Sequence, residues 1–340
     1  MQRVVLEGPI ALESGALLPS VTVAYHAWGS LNAARDNAVV VCHALTGSSD
    51  VSAWWSGFVG EGLALDPSRD FVVCSNVIGS CYGTTGPGVP EWEGIFGARP
   101  DLRSVTIRDQ VDVQRRWLAR LGVRRIRLVI GGSMGGMQAL EWALLAPDMV
   151  DAIAVLAAPA AHHAWALALS TAQRHAIFAD ASWPQGAAAR GMAVARMIAM
   201  CSYRSASSFE SRFGRMTADG EFDVSRWLQR HGDRLVERFN ARTYVALSHA
   251  LDSHDVGRDR GGVAAALGQI AQPAFVLGIT TDVLYPPHEL QALADGLPNA
   301  TLSWLGSPHG HDAFLIELAE VSARIKAFRA RVEVQRAVTR

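Results

Sequence analysis

Gly131-Gly132-Ser133-Met134-Gly135-Gly136 follows a short apolar run at residues 126–130 and opens a helical pattern reaching Trp142. A chain with 31 glycines produces a G-x-S-x-G string easily, so its placement carries the information. A serine on a sharp strand-to-helix turn needs small neighbours, because the backbone doubles back too closely for side chains at 131 and 135. Such a turn lifts the hydroxyl above a sheet edge and sets the helix's first amides behind it. A phosphate-binding turn would instead carry G-x-G-x-x-G or end in GK[ST], and neither is present. The stretch reads as a strand–turn–helix unit presenting Ser133 as a nucleophile.

Working outward, short apolar runs alternate with helical patterns, which predicts an α/β fold with a mostly parallel central sheet and helices on both faces. Strands are expected at residues 21–25, 39–42, 71–74, 126–130, 153–157, 274–278 and 302–305. A helix is expected over 107–121. Met137, Leu140 and Leu144 mark another, which Pro147 helps to stop. From about 160 to 265 the pattern is helical only (165–178, 187–201, 224–239, 243–251). The expected organisation is therefore a core of residues 1–159 and 266–340, with a helical lid inserted at 160–265. There is no internal repeat and no low-complexity linker.

The 340 residues supply 49% hydrophobic side chains, ample for a large buried sheet. With 31 basic and 32 acidic residues, and no block of five like charges, nothing points to nucleic acid or an anionic membrane. Cys42, Cys74, Cys81 and Cys201 form no CxxC pair and no metal-ligand spacing, so they read as free thiols in a reducing compartment, and no metal site is expected. The N-terminus lacks a basic stretch followed by a long apolar one, and no apolar run reaches spanning length. A cytoplasmic protein is expected.

A serine hydroxyl needs a base to take its proton, and the base needs a third group to orient it. On this kind of nucleophile turn the acid and then the histidine follow on loops after later strands. Asp282 lies just past the 274–278 strand. His311 lies past 302–305, in Ser307-Pro308-His309-Gly310-His311-Asp312. His309 competes for the base role; His311 is preferred because it sits where the loop enters a helix expected over 312–328. Asp312 reads either as a helix-start acid favoured by the dipole or as a ligand for a substrate ammonium. Asp252 and Asp255 read as solvated acids of the insertion, and His162, His163 and His231 as surface or packing residues. For the oxyanion, the amide after the nucleophile, Met134, and one from the loop after an early strand, Leu45 in His43–Gly47, are the natural donors.

Together these residues resemble the homoserine O-acyltransferases of methionine biosynthesis, a family with the α/β-hydrolase fold. The likeness rests on Cys42–Gly47, Cys74–Pro87, Gly131–Trp142, Ala195–Ile198, Ser202–Ser205 and His311–Leu315, in family order along nearly the whole chain. It implies acyl transfer, acetyl foremost, from acyl-CoA as co-substrate to the γ-hydroxyl of L-homoserine, with no bound cofactor. It also implies a helical lid and a homodimer built through it. Ser133, Asp282 and His311 match the family's triad. Arg196 matches the arginine that holds the amino-acid carboxylate, and Asp312 the acid facing its ammonium. A guanidinium holding a carboxylate by two hydrogen bonds makes physical sense of that pair. Arg204 is a second candidate for the carboxylate or for the CoA phosphates.

The chain departs from the family at Gly79-Ser80-Cys81, where many members carry two glycines before the cysteine, and in a short segment after Pro87. Relatives use succinyl-CoA or acylate serine, so donor and acceptor have alternatives. The same triad with water as acceptor makes an esterase, lipase or peptidase. A noncatalytic binding protein on this fold would ordinarily lack one triad member, and all three candidates are present.

Overall fold

Three strands with every side chain buried form the middle of the molecule: Ala38–Cys42, Ile153–Leu156 and Ala274–Ile279. Continuous apolar strands of this kind are stable only when both faces of a sheet are covered. The computed structural model describes residues 1–97 and 105–339. Its main sheet has eight strands: β1 (Gln2–Ala11), β2 (Leu17–Trp28), β3 (Ala38–Cys42), β4 (Phe71–Ser75), β5 (Ile126–Gly132), β6 (Ile153–Leu156), β7 (Ala274–Ile279) and β8 (Ala300–Leu305). They lie in the order β1-β2-β4-β3-β5-β6-β7-β8. β1 and β2 are antiparallel to each other, and β2 to β4; the pairings from β4 across to β8 are parallel.

Register aligns the strand ends. Cys42 faces Gly131, Gly132 faces Leu156, Leu156 faces Leu277 and Ile279 faces Leu305. The loops carrying His43–Gly47, Ser133, Asp282 and His311 therefore leave from one rim.

Helix α1 (Ile107–Leu121) opens with Thr106 and Asp109 in a reciprocal capping box, and ends at Gly122 in the left-handed region. Helix α2 (Met134–Leu145) starts directly after Ser133. Between β6 and β7 come α3 (Ala164–Phe178), α4 (Ala189–Tyr203), α5 (Ala206–Phe213), α6 (Asp223–Val236) and α7 (Ala241–Asp252), with a two-stranded ribbon of Thr217–Ala218 and Glu221–Phe222 before α6. Ser205 and Asn240 cap α5 and α7 by accepting the amides of Ser208 and Thr243. After β7 come α8 (Pro287–Gly296) and α9 (Leu318–Thr339). No helix among the described residues is long and apolar enough to cross a membrane.

One strand lies outside the expected set, and two expectations are corrected. β1 carries no strong sequence signal, because this edge strand buries only Leu6 and Ile10. The helix expected over 312–328 is broken: Ala313–Ile316 forms one turn, Glu317 leaves the helical region with its carboxylate held by Ser307 at 2.9 Å, and α9 starts afresh at Leu318. Asp252 is not solvated. Its side chain is 8% exposed and pairs with Arg174 at 2.6 Å.

The segment returning to β7 is fastened by charge. Glu141 of α2, 1% exposed, binds Arg260 through both carboxylate oxygens at 3.0 and 2.7 Å and Arg108 at 3.3 Å. Arg108 also donates to the carbonyls of Asp255 and Arg258. Glu141→Leu would leave Arg260 without an ion-pair partner among the described residues and take one carboxylate from Arg108, and is expected to cost about 3 kcal/mol in urea unfolding. A loss below about 1 kcal/mol would show that the network contributes little.

Candidate active site

The turn at residue 133 is tight because neighbouring atoms occupy the space that side chains would need. A Cβ on Gly135 would collide with the Cys42 carbonyl, and one on Gly131 with the Gly135 backbone. Ser133 itself has φ 54° and ψ −125°, a region that costs a non-glycine residue of order 1–3 kcal/mol. Its amide is tied to the Leu156 carbonyl at 2.9 Å, and its carbonyl accepts the Gly136 amide at 2.8 Å. The strain is held from both sides.

Asp282 and His311 meet. His311 Nδ1 lies 2.7 Å from Asp282 Oδ2, with both residues 3% exposed. Asp282 Oδ1 accepts the amides of Leu284 and Tyr285 at 2.8 and 3.0 Å, so the carboxylate cannot swing away. This leaves His311 Nε2 buried and without a hydrogen-bond partner among the described residues. His309 is turned elsewhere, with its ring 4.0 Å from Glu317. Three aromatic rings enclose His311: Tyr203, Tyr285 and Phe314, at centroid distances of 5.6, 5.3 and 5.8 Å. Phe314 also fills the space where a Cβ on Gly132 would stand, so one ring packs against both the imidazole and the serine turn. Burial lowers the His311 pKa, but the charge and hydrogen bond of Asp282, with Asp312 beyond, outweigh it and leave it above 6.5.

The loop after β3 is braced by buried polar groups. His43 Nδ1 donates to the Ala44 carbonyl at 2.8 Å and Nε2 accepts the Val77 amide at 3.1 Å, a pattern that needs the neutral ring. Burial pushes its pKa down to about 4, in agreement. Asn76 accepts the Ser49 amide and donates to the Tyr82 carbonyl, joining this loop to the 80–85 turn. Thr84 and Thr85 accept the Ala24 and Thr22 amides of β2. The Leu45 and Met134 amides have no acceptor among the described residues. The departure at Ser80 is accommodated: Gly79 has φ 91°, whereas Ser80 avoids the left-handed region. The segment after Pro87 lies partly outside the described residues.

The helical segment reaches the site through the end of α4. Tyr203 stacks against His311, and the Ser205 hydroxyl binds the Pro308 carbonyl. Arg204 Nε sits 3.2 Å from Asp312 Oδ2, an ion pair not aligned as a hydrogen bond. Arg196 lies over the Tyr203 ring, 5.4 Å from its centroid, with no carboxylate partner among the described residues. Burial raises the Asp312 pKa against the opposing pull of Arg204, Arg196 and His311. Thus Arg204, a second candidate for the carboxylate or the CoA phosphates, is engaged by Asp312, while Arg196 has no carboxylate partner among the described residues. Tyr203, Phe314, Asn76 and Gln138 fall inside strings already noted, yet nothing local assigned them a task; Tyr285 lies outside those strings and had no signal of its own.

The arrangement supplies a strained serine, a carboxylate-oriented imidazole with one free nitrogen, and two open amides, the set that acyl transfer requires. Among the described residues no group of three or more His, Cys, Asp or Glu side chains could hold a metal ion.

An α/β-hydrolase-fold family model matches residues 37–318. A homoserine O-acetyltransferase of Nostoc punctiforme is 51% identical over 332 residues, covering 94% of this chain and 93% of its own. The crystal structure of a homoserine O-acetyltransferase from Bacillus anthracis superposes with a TM-score of 0.88 at 21% identity, covering 96% of this chain and 97% of its own. Esterase E22 superposes with 0.86 at 24%, covering 96% and 99%. The two structures show the fold alone, which transferases and esterases share.

Only a neutral imidazole can accept the serine proton, so acylation of Ser133 by an activated ester should decline on the acid side with a midpoint above that of an ordinary imidazole. Asp282→Asn removes the main groups that raise this pKa and should move the midpoint down as well as slow the reaction. A wild-type midpoint no higher than that of Asp282→Asn would show that the pairing does not raise the imidazole's pKa.

Proposed function

The chain belongs to the homoserine O-acetyltransferases of the α/β-hydrolase fold, and on that premise we propose that Ser133 carries the acetyl group from acetyl-CoA to the γ-hydroxyl of L-homoserine. The protein is an acyltransferase of methionine biosynthesis acting on small molecules. The observation that carries the residue assignment is the 2.7 Å bond between His311 and a doubly amide-bound Asp282, with Nε2 left open.

In the first half-reaction His311 Nε2 takes the Ser133 proton as Oγ attacks the thioester carbonyl. The Leu45 and Met134 amides receive the developing oxyanion. As the carbon–sulfur bond breaks, His311 returns the proton to the leaving sulfur, giving free CoA and acetyl-Ser133. In the second, homoserine's hydroxyl loses its proton to His311 and attacks the acetyl carbonyl. The tetrahedral centre collapses, the bond to Ser133 Oγ breaks, and the proton passes back to the serine. Acetyl-CoA is thus a co-substrate and the enzyme cycles through a covalent intermediate.

Arg196, with no carboxylate partner among the described residues, is the cation for the substrate carboxylate. Asp312 is the acid for its ammonium, and burial with a raised pKa supports this, because a further cation offsets the lost solvation. Arg204 keeps Asp312 in place from the other side. Residues 160–265 act as a lid, a role supported by Tyr203 and Ser205 touching the histidine loop. Exposed Val194, Met216 and Phe222 on the same segment support a homodimer formed through it. Free cysteines support a cytoplasmic setting.

Ser133→Ala is expected to lower turnover on the order of 10³-fold or more; activity within tenfold of wild type would remove Ser133 from the mechanism. CoA release from acetyl-CoA should depend on added homoserine. Release at the same rate without the amino acid would mean that water is the acceptor, as in the esterases that share the fold. Comparing homoserine and serine against acetyl-, propionyl- and succinyl-CoA fixes both specificities. Arg196→Ala should raise the homoserine KM about 10- to 100-fold with little change in the acetyl-CoA half-reaction, the weight of a charge-assisted hydrogen bond.

A further inference from the structure

Beneath the serine turn, three buried side chains form a hydrogen-bonded chain whose direction is fixed at both ends. The Trp142 indole N–H, which can only donate, meets Gln114 Oε1 at 2.8 Å. Gln114 Nε2 therefore donates to Gln138 Oε1, also at 2.8 Å. That leaves Gln138 Nε2 facing two carbonyl oxygens, His43 at 3.2 Å and Met134 at 3.3 Å. Turning either amide over would set acceptor against acceptor, so only one orientation satisfies every group. Trp142 and Gln138 are fully buried and Gln114 is 2% exposed.

The two carbonyls are adjacent in the chain to the amides assigned above to the oxyanion. The His43 carbonyl lies in the peptide unit before the one bearing the Leu45 amide. The Met134 carbonyl lies in the unit after the one bearing the Met134 amide. Gln138 thus clamps the loop after β3 to the start of α2. We propose that Gln138 is a positioning residue that sets the separation and aim of the two oxyanion donors, with Gln114 and Trp142 holding its amide the right way round. This rests on the reading of Leu45 and Met134 as donors.

The chemistry explains why an amide stands at a core position. Burying one without partners is costly, and leucine or methionine would fill a helix interior there equally well. An oxyanion donor is effective only about 2.7–3.1 Å from the oxygen it stabilises, so a loop free to drift by a few tenths of an ångström loses much of its effect.

The test uses the full-length enzyme with Gln138→Met, which keeps the volume and removes both donors. Acetylation by acetyl-CoA should slow about 10- to 100-fold. Affinity for a trifluoromethyl ketone, which adds to Ser133 as a tetrahedral oxyanion, should weaken by a similar factor, while the homoserine KM stays within about twofold. Gln114→Met, which frees the Gln138 amide to turn, should give a smaller loss of both, and it carries the test should Gln138→Met not fold. A folded variant with wild-type acetylation would overturn the proposal. So would slow acetylation with undiminished ketone affinity, which marks a merely structural role. If the wild-type enzyme formed no ketone adduct at all, the assignment of Ser133 would fall first, and this proposal with it.

Discussion

The backbone reversal at Ser133 is the constraint on which the rest of the structure depends. A residue with a side chain is held at φ 54°, and the helix behind it runs so close to β3 that Gly135 has no room for a Cβ. Such a conformation survives only when its surroundings over-determine it. Here the surroundings are the Leu156 carbonyl on the Ser133 amide, Phe314 pressed onto Gly132, and the parallel register that sets Cys42 opposite Gly131. The strain presents a hydroxyl at the rim where the loops carrying His43–Gly47, Asp282 and His311 also emerge.

Around that rim the protein buries several polar side chains that each make more than one hydrogen bond. His43 is kept neutral and uses both ring nitrogens on backbone. Asn76 links the loop after β3 to the 80–85 turn, and two threonine hydroxyls extend the edge of β2. Buried polar networks of this kind specify one arrangement, because any alternative leaves a desolvated group unpaired. The exceptions then stand out. Among the described residues His311 Nε2 and the Leu45 and Met134 amides are left without a hydrogen-bond partner, as are the Ser75 hydroxyl and Arg204 Nε.

The helical segment adds what the sheet cannot. Loops at a rim can orient a nucleophile, but binding an amino acid calls for one cation and one anion at a fixed separation. Arg196 and Tyr203 come from α4, while Asp312 comes from the histidine loop. The ion pair of Arg204 with Asp312 ties the two together. Through Tyr203 and Ser205, the surface that would recognise the acceptor rests against the base that would activate it.

Much of this was legible in the sequence. Local spacing around Ser133, the order of Asp282 and His311 after apolar runs, and the helical stretch between strands all follow from periodicity and turn chemistry, which act over a few residues. Separated family-like strings added the acceptor class. Folding in three dimensions decided the rest. It chose His311 over His309, paired Arg204 while leaving Arg196 open, buried Asp252 against Arg174, and made Gln138 a link between two loops. Those outcomes depend on which groups lose water together, and apart from Gln138 with Met134 the partners stand 29 to 108 positions apart, too far to mark local pattern.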